Sequence, residues 1–227
     1  MKRTLILLAS ISALAAARAD LIVEQKMEGS VLNGTMKMKM KGDKVRIDMP
    51  AGPLGDMSSI VDVQTGDSTT LIHGSKMAMK MSGALAKQAI DSVKGAAPDA
   101  GAAKFQATGR KEKVGEYNAE VFTWASPAGM QTLWVTKDVP GFAKIKAQFD
   151  KFSKASAAGI GKGMTPDTSA LPGVVVKTEM DLAGNKITST VTSMKEENVD
   201  AAVFDVPKDY QEMAQPTLPA IPPPAPK

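Results

Sequence analysis

Cysteine is absent from this 227-residue chain, and histidine occurs only once. Without cysteine the fold cannot be held by disulfides, and it offers no thiolate nucleophile or thiolate metal ligand. One histidine excludes the zinc motifs that need two. The Gly-x-Ser-x-Gly and Ser-x-x-Lys patterns of serine nucleophiles are missing as well. The composition therefore predicts that the protein is not an enzyme and that it has no cofactor.

Long apolar runs are also missing, except at the start of the chain. Lys2 and Arg3 precede an apolar run from Thr4 to Ala16, and small residues at Ala17 and Ala19 follow it. This order is typical of a secretory signal peptide, and the run is shorter than the roughly 20 residues of a spanning helix. We expect a signal peptide over 1–19, cleavage after Ala19, and an exported, periplasmic, soluble product without a transmembrane segment.

The net charge is small once the predicted signal peptide is removed. The formal net charge is +4, and removal of three cations with the signal leaves about +1. Nucleic-acid binding depends on clustered cations, so a nucleic-acid partner is not expected. The other end, residues 213–227, is rich in proline and is predicted to be a disordered tail, since proline cannot join a helix or sheet interior.

What the chain does contain is a succession of short segments with period-two alternation, separated by polar turns such as Lys41-Gly42-Asp43. Two segments have a helical period instead: residues 83–94 and a helix that begins at Phe142, whose apolar stripe comprises Phe142, Ile145, Phe149 and Phe152. Ten or eleven strands with two helices predict a mainly β (α+β) domain over residues 20–212. We expect a single curved antiparallel sheet that forms an incomplete β-barrel covered by the two helices.

The same order of elements is similar to a known arrangement. It resembles the fold of the periplasmic outer-membrane lipoprotein carrier and receptor proteins and, more closely, a family of exported bacterial proteins defined as a domain of unknown function. The segments that carry this resemblance are KGDKVRIDM, SSIVDVQTGDSTTLIHGSKMAMKM, TGRKEKVGEYNAEVFTW, LWVTKDVPG, LPGVVVKTEMDL and DVPKDY. The resemblance implies a concave sheet face that can hold acyl chains, with Arg46 where the carriers tend to have a basic residue.

Methionine alternates strictly with lysine over residues 36–41, and the pattern returns at Met77, Met79 and Met81. Residues two apart on a strand share a face, so the methionines point one way and the lysines the other. We expect the lysine side to face water and the methionine side to face something apolar.

Three interpretations of the methionine side stay open. The thioethers can simply fill the core, because methionine adapts to irregular space. They can instead form a deformable lining for a hydrophobic ligand, such as an acyl chain or lipid. The residues predicted to line such a cavity are Met36, Met38, Met40, Val45, Ile47, Met49, Met77, Met79, Met81, Phe142, Ile145 and Phe149. Thirdly, Met36, Met38, Met40, Met77, Met79 and Met81 can bind Cu(I), a soft ion that prefers sulfur, if their two strands are neighbours.

Two other kinds of partner are compatible with the sequence. A cell-envelope protein could dock on a sheet edge or on the proline-rich tail without any small ligand. The basic side of the Phe142 helix could lie on an anionic membrane, although packing of its phenylalanines onto the sheet explains the same pattern. An open apolar space between sheet and helices would favour the ligand hypothesis over the interaction module.

Overall fold

A computed structural model describes residues 20–29, 33–52, 55–93, 104–126, 129–158, 166–182 and 184–213. The predicted signal peptide and almost all of the proline-rich tail lie outside these residues. Two α-helices are described, α1 (Gly83–Val93) and α2 (Phe142–Ala158), with 3₁₀ turns at Thr168–Ala170 and Ala201–Phe204. The strands are β1 (Asp20–Gly29), β2 (Gly34–Lys41), β3 (Lys44–Gly52), β4 (Gly55–Asp62), β5 (Ser68–Ile72), β6 (Met77–Met81), β7 (Gln106–Val114), β8 (Tyr117–Ser126), β9 (Gly129–Thr136), β10 (Val174–Leu182), β11 (Asn185–Glu197) and β12 (Gln211–Met213).

All twelve strands belong to one open sheet, in the order β12-β6-β5-β4-β3-β2-β1-β11-β10-β9-β8-β7. Register shifts interrupt several pairings, among them β1 with β11 and β10 with β9. Such irregularities bend strands and increase their twist, which curves the sheet. The predicted mainly β class, with one curved open sheet and two helices, is confirmed. The expectation of purely antiparallel pairing is wrong at one edge, where the three-residue β12 runs parallel to β6.

Local sequence explains the meander of the first six strands. Gly42 adopts a φ of +59° in the turn between β2 and β3, a conformation that glycine reaches without steric cost. The β2 and β3 residues then pair in register, with Met38 opposite Ile47 and Lys39 opposite Arg46. This hairpin and its turn are as the alternation predicted.

Antiparallel partners that lie directly opposite each other share a face of the sheet, so the register assigns the side chains. One row runs Met38, Ile47, Ser59, Thr70 and Met79 across β2 to β6. We call the face that carries this row the front face. The opposite, back face carries the lysines of β2.

Each face has its own apolar cluster. On the front face Met38, Met40 and Val45 join strands β1, β8, β10 and β11 in a core against which Phe142, Phe149 and Phe152 of α2 pack. On the back face Ile60, Leu71 and Ala78 pack against Val199 and Phe204. One side of the sheet is thus covered by α2. The other side is covered by residues 198–210 of a C-terminal segment, residues 198–213, which ends in the edge strand β12.

Candidate functional site

A cavity of about 380 Å³ lies on the front face, between α2 and the strands β1, β2, β9, β10 and β11. Its apolar lining comes from the floor of the sheet and from two phenylalanines of α2. The apolar residues are Met27, Met36, Met38, Leu133, Phe149, Phe152, Pro166, Val174, Val175, Val176 and Val191. Protein interiors contain few voids larger than a water molecule, so a space of this size in contact with apolar side chains is a candidate binding site.

Gly173 forms part of the wall where the chain enters β10. A Cβ at this position would lie 2.3 Å from the backbone oxygen of Thr136, so only glycine lets the segment pass so close to the end of β9. The close approach brings Val174 and Val176, both almost completely buried, beneath α2.

Three of the predicted lining residues are in the cavity: Met36 and Met38 from β2, and Phe149 from α2. The amphipathic stripe of α2 is confirmed, because Phe142 and Phe152 also pack against the front-face core. Three lysines of this helix form ion pairs: Lys144 with Glu196 at 2.9 Å, Lys146 with Asp150, and Lys151 with Asp43.

The other predicted lining residues lie elsewhere. Met40, Val45 and Ile145 are buried in the core beside the cavity, and Ile47 packs on that core. A second row of residues directly opposite one another on β3 to β6 comprises Met49, Met57, Ile72 and Met77. This row lies on the front face, but none of its residues lines the cavity. Met79 and Met81 are half-buried on β6 at the far side of the sheet.

The arrangement that the copper hypothesis requires is not met. Strands β3, β4 and β5 separate β2 from β6, so the two Met-x-Met-x-Met strands are not neighbours. Adjacent strands lie about 4.8 Å apart, which keeps the two methionine triplets well beyond joint coordination within the sheet. Among the described residues, no three His, Asp or Glu side chains are placed to share a metal ion.

Sequence reasoning missed most of the cavity floor. Val174, Val176 and Val191 come from β10 and β11, which reach β1 through a pairing between the two ends of the domain. The apolar run at residues 174–176 signals a buried strand, but nothing local indicates which strands it joins. The described part of α1 contributes no lining residue, so the expectation that both helices cover the cavity is confirmed only for α2.

Polar side chains in the lining bond mainly to one another. Ser189 Oγ donates to Gln25 Oε1 at 2.6 Å. Ser153 Oγ accepts from the backbone N–H of Thr168 at 2.7 Å and from its hydroxyl at 2.9 Å. The Ser153 bonds fix α2 to the segment after it, and the Ser189–Gln25 bond joins β11 to β1 on the cavity floor.

Two charged residues, Asp150 and Lys177, contribute to the lining. Asp150 receives both of its hydrogen bonds from Lys146, at 2.6 and 2.7 Å. Lys177 Nζ lies 2.7 Å from a carboxylate oxygen of Glu179 and 4.1 Å from the centre of the Trp134 ring. The hydrogen bond from Lys177 lowers the pKa of Glu179, against the opposing effect of burial. Both charged groups are therefore already compensated.

The back face differs from the expected solvated lysine surface. Lys39 Nζ donates to Asp48 at 2.9 Å, Arg46 Nε donates to it at 2.6 Å, and Ser58 Oγ donates to it at 2.6 Å. Burial alone raises the pKa of Asp48, but these three hydrogen bonds outweigh it and lower the pKa to about 2. Arg46, the position implied by the carrier resemblance, thus lies on the face away from the cavity.

The same network holds the C-terminal segment. Arg46 Nη1 donates to the backbone oxygen of Val203 at 2.8 Å. His73 Nε2 lies 2.7 Å from Ser58 Oγ, and its Nδ1 lies 2.6 Å from the hydroxyl of Tyr210. Since the Ser58 proton goes to Asp48, His73 Nε2–H donates to Ser58, and Nδ1 is left to bond with the Tyr210 hydroxyl.

Comparison with known proteins gives one family. The profile of a domain of unknown function, DUF4412, matches residues 22–210. The resemblance to a domain-of-unknown-function family is therefore confirmed. A search among curated proteins gives no match. No helix in the described ranges is long and apolar enough to cross a membrane.

Several solved structures are similar to this chain at low identity. PNGF-II in a C2 crystal is 13% identical with a TM-score of 0.43; the alignment covers 86% of this chain and only 31% of that one. The lipoprotein LppX of Mycobacterium tuberculosis is 12% identical with a TM-score of 0.42, covering 80% of this chain and 88% of that one. A DUF1329 family protein from Desulfovibrio piger is 12% identical with a TM-score of 0.27, covering 82% and 90%.

Proposed function

The chain belongs to the DUF4412 family, whose name assigns no activity, and we propose from its cavity that it is a non-enzymatic binding protein for one hydrophobic, lipid-like ligand. The observation that supports this proposal is the space of about 380 Å³ between α2 and the sheet, whose apolar lining consists mainly of methionine, valine and phenylalanine. The volume lies toward the lower end of the range of about 300–1,000 Å³ for ligand pockets, which suits a single acyl chain better than several.

The composition of the lining supports an acyl chain rather than a rigid ligand. Met27, Met36 and Met38 offer unbranched, polarisable side chains that adjust to different chain shapes. Removing apolar surface from water gains about 25 cal/mol per Å², so an alkyl chain in contact with this lining would bind through burial alone. Val174, Val176 and Val191, whose branched side chains are less flexible than methionine, form the floor beneath such a chain.

The proposal includes where the protein acts in the cell. The predicted signal peptide over 1–19 would deliver the domain to the periplasm, where lipids and lipid-modified proteins must be handled outside a bilayer. The tail over 213–227 would serve as a tether or as a docking site for an envelope protein. These assignments rest on the sequence patterns.

The proposal can be tested by measuring ligand binding to the wild-type protein and then to a variant in which a bulky side chain fills the cavity. We expect gently purified protein to carry lipid in native mass spectra, and to bind the neutral fluorescent dye N-phenylnaphthylamine. Ser156 lines the cavity from the wall of α2, so Ser156→Trp would place an indole in the ligand space. Lys154→Trp is the matched control, because Lys154 is an exposed residue two positions earlier on the same helix.

We expect Ser156→Trp to abolish dye binding and lipid carry-over while its thermal unfolding stays close to that of the wild type. The Lys154→Trp protein should bind as the wild type does. Absence of lipid and dye from the wild-type protein, or equal binding by both variants, would contradict a ligand site in this cavity. That result would favour the interaction module instead.

A further inference from the structure

We propose that the cavity selects an uncharged lipid, in which the acyl chain ends in an alcohol, ester or amide rather than in a carboxylate or phosphate. This inference rests on the proposed function and concerns the head of the ligand. It follows from the charges and hydrogen-bonding groups that the described residues place in the lining.

No described cation in the lining is available to an anionic head group. Lys177 contributes to the lining, but its ammonium group is bound to Glu179 at 2.7 Å and stacked on Trp134 at 4.1 Å from the ring centre. Its side chain is only 24% exposed. Lys177 and Thr178 are neighbours on β10, so their side chains point to opposite faces, and Thr178 is the one on the cavity floor. Glu179 and Trp134, which hold the ammonium group, are not among the lining residues, so this cation is kept away from the ligand space.

The acidic residue of the lining disfavours an anion further. Asp150 faces the cavity, and Lys146 binds both of its oxygens. The side chains of this pair are 27% and 16% exposed, so water screens them only partly. A second carboxylate placed near Asp150 would therefore meet a like charge whose counter-ion is already engaged.

The remaining polar groups suit an uncharged head. Gln25 uses its amide oxygen to accept from Ser189, which directs its amide nitrogen toward the role of donor. Thr178 lies opposite Ser189 across β10 and β11, so its hydroxyl borders the same part of the floor. An amide donor beside hydroxyl groups can satisfy an ester carbonyl or a hydroxyl without any net charge.

Ligands that share one alkyl chain and differ only at the head provide the test. Oleyl alcohol, monooleoylglycerol, oleate and oleylamine would each compete with N-phenylnaphthylamine for the purified protein at neutral pH, below their aggregation concentrations. We expect the alcohol and the glycerol ester to displace the dye at concentrations about tenfold lower than oleate does, a ratio that corresponds to about 1.4 kcal/mol. Equal or tighter binding of oleate or oleylamine would overturn the inference.

A charge variant sharpens the result. In Asp150→Asn the like charge is gone and Lys146 loses its partner, so we expect oleate to bind about tenfold more tightly while monooleoylglycerol changes less than twofold. Asp56→Asn is the matched control, since it makes the same charge change at an exposed position on β4. An unchanged oleate affinity in Asp150→Asn would also count against the inference.

The two proposals fail in different ways. If no ligand displaces the dye, or the dye itself does not bind, the proposed function falls and this inference falls with it. If all four ligands bind alike, the hydrophobic site stands and only its selection of an uncharged head is wrong.

Discussion

The two faces of the β1–β6 half of the sheet come from the same alternating sequence, yet they are completed differently. The front face carries the methionine side chains, several of them half-buried, and a cavity remains between this face and α2. The back face carries a polar network centred on Asp48 and is closed by residues 198–210. Strand periodicity decides which side chain goes to which face, but segments distant in sequence decide whether a face is filled or left open.

The physical character of the contacts differs in the same way. Packing of methionine is non-directional and tolerates a change of partner, which suits a site that admits a ligand. The back-face bonds are short, partly buried and directional, so they specify one position for the C-terminal segment. Four predictions test this contrast, starting with the largest expected effect.

Truncation of a side chain at the centre of the back-face apolar cluster should cause the largest loss of stability. Leu71 is completely buried beneath the C-terminal segment, so Leu71→Ala should lower the free energy of unfolding by about 4 kcal/mol. Met79→Ala, the adjacent-strand change on the front face, should cost only about 1 kcal/mol because that side chain is half-buried. Urea unfolding of both variants measures the difference, and equal losses would contradict the contrast.

Removal of the central carboxylate should come next. Asp48→Ala leaves Arg46 and Lys39 without the acceptor they share, which should destabilise the fold by about 3 kcal/mol. Asp56→Ala, at an exposed position, serves as the control and should change stability by less than about 0.5 kcal/mol. A loss below 1 kcal/mol for the Asp48 variant would mean that the network contributes little to closure of the back face.

Acid should weaken the back face through the same carboxylate. The pKa of Asp48 is about 2 in the folded protein, below its ordinary 3.8, so its contribution is complete above about pH 4 and is lost as the pH falls toward 2. The shift corresponds to about 2 kcal/mol. Unfolding curves from pH 5 down to pH 2 should therefore fall more steeply for the wild type than for Asp48→Asn, and parallel curves would refute this assignment.

The smallest effect is expected from the last bond of the network. Tyr210→Phe removes the hydroxyl that lies 2.6 Å from His73 Nδ1 and should cost about 1 kcal/mol. Hydrogen exchange should become faster mainly in residues 199–213 and in β6, with little change in α2. Uniform acceleration across the domain would show that the C-terminal segment does not open as a separate unit.

How far the sequence predicts this molecule depends on the range of the interaction. The turn at Gly42, the two strands that flank it and the apolar stripe of α2 depend on patterns of only a few residues, and the sequence predicts all three. Met36, Met38 and Phe149 were placed in the cavity for the same reason, since strand and helix periods assign their faces.

The remaining features depend on contacts between distant segments. The β1–β11 pairing joins Gln25 to Val191, and the Lys41 side chain reaches the backbone oxygen of Val199. No local pattern signals either contact. The pattern of β2 therefore predicts solvent-exposed lysines, although ion pairs keep Lys39 and Lys41 partly buried. Likewise, the pattern of β6 predicts that its methionines line the cavity, although three strands separate β6 from β2.

The difference between the two faces is tested most directly by mapping where a lipid sits. An uncharged monoacylglycerol with a photoreactive diazirine in the middle of its chain would be bound, irradiated and located by peptide mass spectrometry. We expect labels in β1, β2, β10 and α2, centred on Met27, Met36, Met38 and Phe149, and the loss of these labels in Ser156→Trp. Labels concentrated in residues 198–213 or on the exposed Met130 would contradict this expectation.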